Sequence, residues 1–249
     1  MKRIYNVVWL LLVLVALQGT AVVSAKGPPG VANGKHNLSS SAPLTMYATD
    51  EEEICVFCHT PHGGSLTAPL WNKPNTTSTF TQYTTDTPAL ANSGRPVSDE
   101  SLICLSCHDG TLSVNSVINL ANYRYDDPIL SQDPRIYTVA TGSPDTPIVW
   151  GFGGNNPVLG TDLSNDHPIS FSYNAVQTHY NNTNRAGKLH VVGDALDAGV
   201  RFFGAENYVE CSTCHDPHVD YSASGDPTYA PFLIMPNAGS ALCLACHNK

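Results

Sequence analysis

The chain has 249 residues, and its 12 Lys and Arg stand against 21 Asp and Glu, a formal net charge of −9. That acidity argues against nucleic acid and against anionic membrane surfaces as partners, since both repel a negative protein. Only 13% of residues are charged, while 19 Gly and 18 Pro punctuate the chain, so long amphipathic helices are not expected.

Residues 1–25 read as an export signal. Lys2 and Arg3 form a positive head, Val7 to Leu17 is an unbroken apolar run, and Val23-Ser24-Ala25 supplies small residues for cleavage. The run is short for a bilayer span, which makes an uncleaved anchor the lesser alternative. No cysteine lies near the cleavage site to take a lipid, and no later segment is apolar enough to cross a membrane. The expected mature chain is residues 26–249, more acidic still once Lys2 and Arg3 are gone.

The mature part opens on Gly27-Pro28-Pro29-Gly30, a flexible tail that carries the isolated His36-Asn37-Leu38-Ser39. A first pentad follows, Cys55-Val56-Phe57-Cys58-His59, continued by Thr60-Pro61-His62, then Ala68-Pro69-Leu70-Trp71-Asn72. The second pentad is Cys104-Leu105-Ser106-Cys107-His108. Between it and the third lie short apolar or alternating runs, Arg135 to Val139, Pro147 to Trp150 and Ile169 to Tyr173, bounded by Gly and Asn and expected to form brief strands. A second isolated histidine, His167-Pro168-Ile169-Ser170, precedes Cys211-Ser212-Thr213-Cys214-His215, which continues Asp216-Pro217-His218. The last pentad is Cys243-Leu244-Ala245-Cys246-His247.

The four pentads use all eight cysteines. Cys-X-X-Cys-His is the spacing that attaches a c-type haem: two thiols bond the macrocycle and the adjacent histidine ligates its iron. Positions i, i+3 and i+4 share one face of a helical turn, so all three groups can grip one side of a porphyrin. A disulfide framework gives no reason for a histidine after every second cysteine. Zinc ribbons need no adjacent histidine either, and a thioredoxin-type motif would occur once, in a βαβ setting missing here. Four covalent haems c are expected, held through Cys55, Cys58, Cys104, Cys107, Cys211, Cys214, Cys243 and Cys246.

The chain therefore repeats itself: an isolated His followed by Ser, a Cys-X-X-Cys-His-X-Pro-His, and a plainer pentad. Two coarse dihaem modules, about 26–120 and 160–249, flank an inserted β-rich stretch without a sharp boundary. The expected architecture is mostly irregular chain, with short helices at the pentads and a few short strands. Its core is built around four stacked haems, whose apolar faces replace much of a side-chain interior.

On the pentads, on Leu102 to Thr111, and on Ala68 to Asn72 and Asp166 to Phe171, the chain resembles the doubled Cys-X-X-Cys-His cytochrome family. Within that family it is most similar to the extracellular tetrahaem cytochromes of metal-reducing bacteria, some of which stack end to end into haem-lined filaments called cytochrome nanowires. The resemblance implies closely stacked haems with histidine on both sides of each iron. It also implies self-association into a polymer, and other cytochromes or extracellular acceptors such as metal oxides and electrodes as partners.

His59, His108, His215 and His247 are expected to take one axial position on each iron. Of the six remaining histidines the repeat nominates His36, His62, His167 and His218 for the other, leaving His179 and His190 as spares. Met46 and Met235, the only mature methionines, stand in no repeated context. His62 and His218 each lie three residues after a proximal histidine and cannot reach the far face of the same haem, so each is expected on a neighbouring iron. His36, on a flexible tail, can reach another subunit as readily as its own. Trp71 suits packing on a haem face or in an ordinary core, and the acids Asp126-Asp127 and Asp162 to Asp166 are expected as solvated loops. The expected function is electron transfer along bis-histidine haems by an exported, extracellular or surface protein, not an enzyme. The alternatives are a nitrite- or hydroxylamine-type reductase with one open iron and a monomeric periplasmic shuttle.

Overall fold

The computed structural model describes residues 30–43, 46–48, 51–65, 70–85, 95–111, 117–119, 136–138, 158–222 and 225–249. The export signal, Gly27 to Pro29, Ala68-Pro69, Asp126-Asp127 and the run from Pro147 to Trp150 lie outside the described residues.

Most of the described chain is irregular, with short helices and few strands. Strands β1 (Met46–Ala48) and β3 (Ile136–Thr138) pair antiparallel, β2 (Thr81–Gln82) and β4 (Asp162–Leu163) pair parallel, and β5 (Phe171–Ser172) and β6 (Tyr208–Val209) pair antiparallel. Helix α1 (Asp99–His108) is the longest described, at 10 residues. It is followed by α2 (Tyr173–Asn181), α3 (Val192–Ala198), and the single turns α4 (Cys211–Cys214) and α5 (Ala241–Leu244).

Local chemistry sets these boundaries. The run from Arg135 to Val139 yields β3, but that from Ile169 to Tyr173 yields only two strand residues before the chain turns helical. The hydroxyl of Ser172 accepts the Ala175 N–H at 3.0 Å and so caps α2, ending the strand one residue early. Gly199, at φ 116, takes the left-handed position that closes α3. Neither α2 nor α3 was expected from the sequence. Each buries only one or two residues, Tyr173 and Val176 in α2 and Ala195 in α3, too few to leave a periodic apolar stripe.

Side-chain packing is divided among four small clusters rather than gathered into one interior, and each lies against a pentad. Leu38, Ala48, Val56 and Phe57 pack on Cys58. Val97 and Leu163 enclose Leu105, the leucine inside the second pentad. Phe171, Tyr173, Val176 and Val209 meet Cys246, while Val200, Leu233, Ile234, Leu242 and their neighbours meet Cys214 and Cys246.

Hydrogen bonds tie residues of the first half to the second. Glu210, just before the third pentad and 1% exposed, accepts the hydroxyls of Ser101 from α1 (2.7 Å) and of Ser170 (2.8 Å). The Arg95 guanidinium reaches the same carboxylate at 3.4 Å while lying over the Tyr208 ring. Glu210 also forms a capping box with Thr213 at the start of α4. A buried carboxylate so supplied with donors fixes α1 and α4 side by side, and with them the second and third pentads.

Candidate haem-attachment sites

Every pentad closes into one tight turn. The amide of the terminal histidine donates to the carbonyl of the first cysteine in the first pentad (2.8 Å), the third (3.0 Å) and the fourth (2.9 Å), and the second pentad ends α1. This i+4 to i closure gathers two sulfurs and an imidazole onto one face. All eight cysteines are free thiols. Burial pushes the Cys58 thiol up to about 12, and Cys214 and Cys246 up to about 11, so these sulfurs stay neutral near pH 7.

The sulfurs meet in sequence order. Cys58 lies within electrostatic range of Cys107, Cys104 and Cys211 share a hydrogen bond, and Cys214 lies within range of Cys243, as Cys246 does of Cys214. The first and second, the second and third, and the third and fourth pentads are thus neighbours.

Three proximal histidines have a second histidine ring close by. His59 and His218 have ring centres 6.2 Å apart with planes 13° from parallel; His108 and His36 are 6.2 Å apart at 78°; His247 and His167 are 6.4 Å apart at 77°. A metal held from both sides by imidazole nitrogens about 2 Å away sets ring centres roughly 6 Å apart. The spacing is too long for ring contact and fits one interposed iron. Among the described residues, no histidine ring stands at such a distance from His215.

Ring tautomers are oriented for the same task. Nδ1 of His215 lies 3.0 Å from the Pro231 carbonyl, Nδ1 of His167 lies 2.9 Å from that of Pro168, and Nδ1 of His218 lies 2.9 Å from the Asp216 carboxylate. A ring nitrogen facing a carbonyl must donate, which leaves Nε2 with a free lone pair, the arrangement of a metal-binding imidazole. Burial lowers the pKa of His59, His215 and His247 and pushes His36 down to about 4, with His108 and His218 adding repulsion at His36. Neutral rings, the ligating form, are favoured at all four.

His36 sits behind a turn from Val31 to Asn33 with its ring 4.3 Å from that of Phe232, so it belongs to this chain's own interior. Its Nδ1 is buried without a hydrogen-bond partner, although the Pro217 carbonyl lies near enough to favour its protonation. The buried Nε1 of Trp71 is likewise unpartnered, and that ring meets His59 edge-on at 5.9 Å. His62 is exposed; its backbone carbonyl accepts the Thr60 hydroxyl at 2.8 Å. His179 lies in the last turn of α2, and His190 flanks the fourth pentad through its amide, 2.9 Å from the Cys246 carbonyl. Beside that pentad a cleft of about 400 Å³ is lined by Tyr180, Arg185, Lys188, His247, Asn248 and Lys249.

Reasoning from the sequence missed buried charged residues around the pentads, among them Glu51, Lys73, Asp109, Glu210 and Asp216. Among the described residues no group of three or more His, Cys, Asp or Glu side chains could hold a bare metal ion, and no helix is long and apolar enough to cross a membrane.

Free thiols in four Cys-X-X-Cys-His turns, neutral imidazoles beside them and unpartnered polar atoms fit c-type haem. The four cysteine pairs have the spacing of c-type haem attachment, and that spacing is compatible with a haem-binding electron-transfer protein. Compared with protein-family models and with curated protein sequences, the chain matches none.

Proposed function

We propose that the chain is an exported tetrahaem c-type cytochrome that carries electrons along closely packed haems toward extracellular acceptors. The observation that carries this reading is the set of three histidine pairs spaced 6.2, 6.2 and 6.4 Å. We assign the eight cysteines as thioether donors. His59 with His218, His108 with His36, and His247 with His167 are the axial pairs, and His215 holds the remaining iron from one side. Bound haem supplies reversible one-electron chemistry; the protein sets its ligands, spacing and burial. In this reading His218 ties the third pentad to the first iron through the short His215-Asp216-Pro217-His218 segment. The modules 26–120 and 160–249 are thereby interlocked. The cations Arg185, Lys188 and Lys249 beside His247 suit haem carboxylates.

The open side of His215 is filled from a second copy, with exposed His62 as the donor. Subunits then join head to tail in a heterologous contact that does not close, which makes a haem-lined filament. Other cytochromes, metal oxides or electrodes receive the electrons. The same open side favours a second reading, a multihaem reductase that binds nitrite or hydroxylamine at that iron.

Intact mass and electron paramagnetic resonance of the purified mature protein, with electron microscopy of the same sample, test the proposal. Four haems, all low-spin, in fibres are expected, and His62→Ala yields non-fibrous particles with one high-spin haem. Low-spin single particles leave the periplasmic shuttle, a high-spin fraction in wild-type protein favours the reductase, and a colourless polypeptide overturns all three.

A further inference from the structure

The segment carrying Trp71 is clamped against the first pentad. The Asn72 amide donates to the Cys58 carbonyl and the Thr60 amide to the Leu70 carbonyl, each at 2.8 Å, so Trp71 pairs antiparallel with His59. On its other side Trp71 pairs with Ser65, whose amide donates to the Trp71 carbonyl at 2.8 Å. Residues directly opposite one another in antiparallel pairs turn their side chains to one face. His59, Trp71 and Ser65 therefore form a row across three segments. Gly64 permits the close approach, since a Cβ there would meet the Trp71 carbonyl oxygen at 2.9 Å.

Two members of this row carry buried polar atoms with no hydrogen-bond partner, Trp71 Nε1 and Ser65 Oγ. Trp71 as a whole is 9% exposed. Such orphans are rare in folded proteins, and each costs stability unless something bound there satisfies it. An indole N–H can only donate and a hydroxyl can also donate, so a group with two acceptor oxygens suits the pair. The third pentad has the same clamp with an apolar residue in the place of Trp71. There the Ile234 amide meets the Cys214 carbonyl at 3.0 Å, the Asp216 amide meets that of Phe232 at 2.7 Å, and Leu233 pairs with His215. Even the left-handed residue before the pairing recurs, Leu70 at φ 63 and Phe232 at φ 59. Leu233 offers only hydrocarbon where Trp71 offers an N–H.

We propose that the Trp71 indole N–H and the Ser65 hydroxyl bind a carboxylate of the haem held by the first pentad. This rests on the tetrahaem reading above. A haem carries carboxylates, which accept and do not donate when ionised, and His59, the ligand assigned to that haem's iron, stands in the same row. Two neutral donors in a buried setting stabilise the carboxylate without adding a charge of their own. The first haem is thereby oriented by hydrogen bonds at a place where the third meets apolar packing.

Resonance Raman spectroscopy of the four-haem protein and its Trp71→Phe and Ser65→Ala variants tests the inference, with intact mass as the loading control. Each variant shifts the carboxylate bending band of one haem in four toward weaker hydrogen bonding, Trp71→Phe by more, while the spin state of every haem stays that of wild type. An unmoved band in either fully loaded variant overturns the inference and leaves the tetrahaem reading intact. So does a new high-spin fraction in Trp71→Phe, which would mean that the indole only props His59. Wild-type protein with fewer than four haems overturns the tetrahaem reading instead. Should Trp71→Phe not load, the band in Ser65→Ala decides alone.

Discussion

The second and fourth pentads carry a leucine at the same place, directly after the first cysteine, and their surroundings treat it oppositely. Leu105 is 0% exposed, enclosed by Val97 and Leu163 with Phe80 and Ile169 against them, whereas Leu244 is 39% exposed. The second pentad ends a ten-residue helix; the fourth sits on a single turn, α5. Yet both gather sulfur, sulfur and imidazole in the same short closure. The pentad makes its own turn, and the chain around it decides only what else is buried there.

Removing the attachment chemistry has the largest effect. A double substitution, Cys211→Ser with Cys214→Ser, lowers the haem count from four to three by intact mass. A protein that still carries four haems contradicts attachment at this pentad.

Next come the two leucines. Leu105→Ala opens a cavity beside α1 and costs about 3 kcal/mol in denaturant unfolding. Leu244→Ala changes stability by less than about 0.5 kcal/mol. Equal costs would mean that haem burial, not side-chain packing, governs both positions. Smaller again is Glu210→Gln, which keeps the one oxygen that accepts from both Ser101 and Ser170 but loses the charge facing Arg95. It costs about 1–2 kcal/mol in the same assay.

What the sequence made legible divides along the same line. The pentads, their histidines and the irregular, turn-rich character of the chain follow from residue types at fixed spacings, and such spacings are local. Burial is not local. Nothing near Lys73 in sequence distinguishes it from an exposed lysine, because its burial depends on Asn72 bonding to Val56 and Asn119. Leu105 and Leu244 look alike for the same reason. The repeat nominated His36, His62, His167 and His218, but which proximal ring His36, His167 and His218 meet depends on how the halves interlock, and no one-dimensional pattern encodes that.

The smallest effect is the pH dependence that Asp216 contributes from the second half. Burial works to raise the pKa of Asp216, but hydrogen bonds from the ring and amide of His218 and the Arg201 guanidinium at 3.3 Å outweigh it. They hold the carboxyl at about 2, against an ordinary 3.8. The folded value lies below the unfolded one, so the unfolded chain takes up the proton first. The stabilisation is complete above about pH 3.8 and is lost as pH falls through about 2. Asp216→Asn cannot titrate, so its loss of folded signal across that window is shallower than in wild type, followed by circular dichroism. The first half has its own depressed carboxyl, Asp109, held by the Thr111 amide and by the hydroxyls of Thr76, Thr111 and Ser78. Its contribution persists in Asp216→Asn, so the acid transition flattens but does not vanish. Identical transitions in the two proteins would mean that the His218 and Arg201 contacts do not hold the Asp216 charge in the folded state.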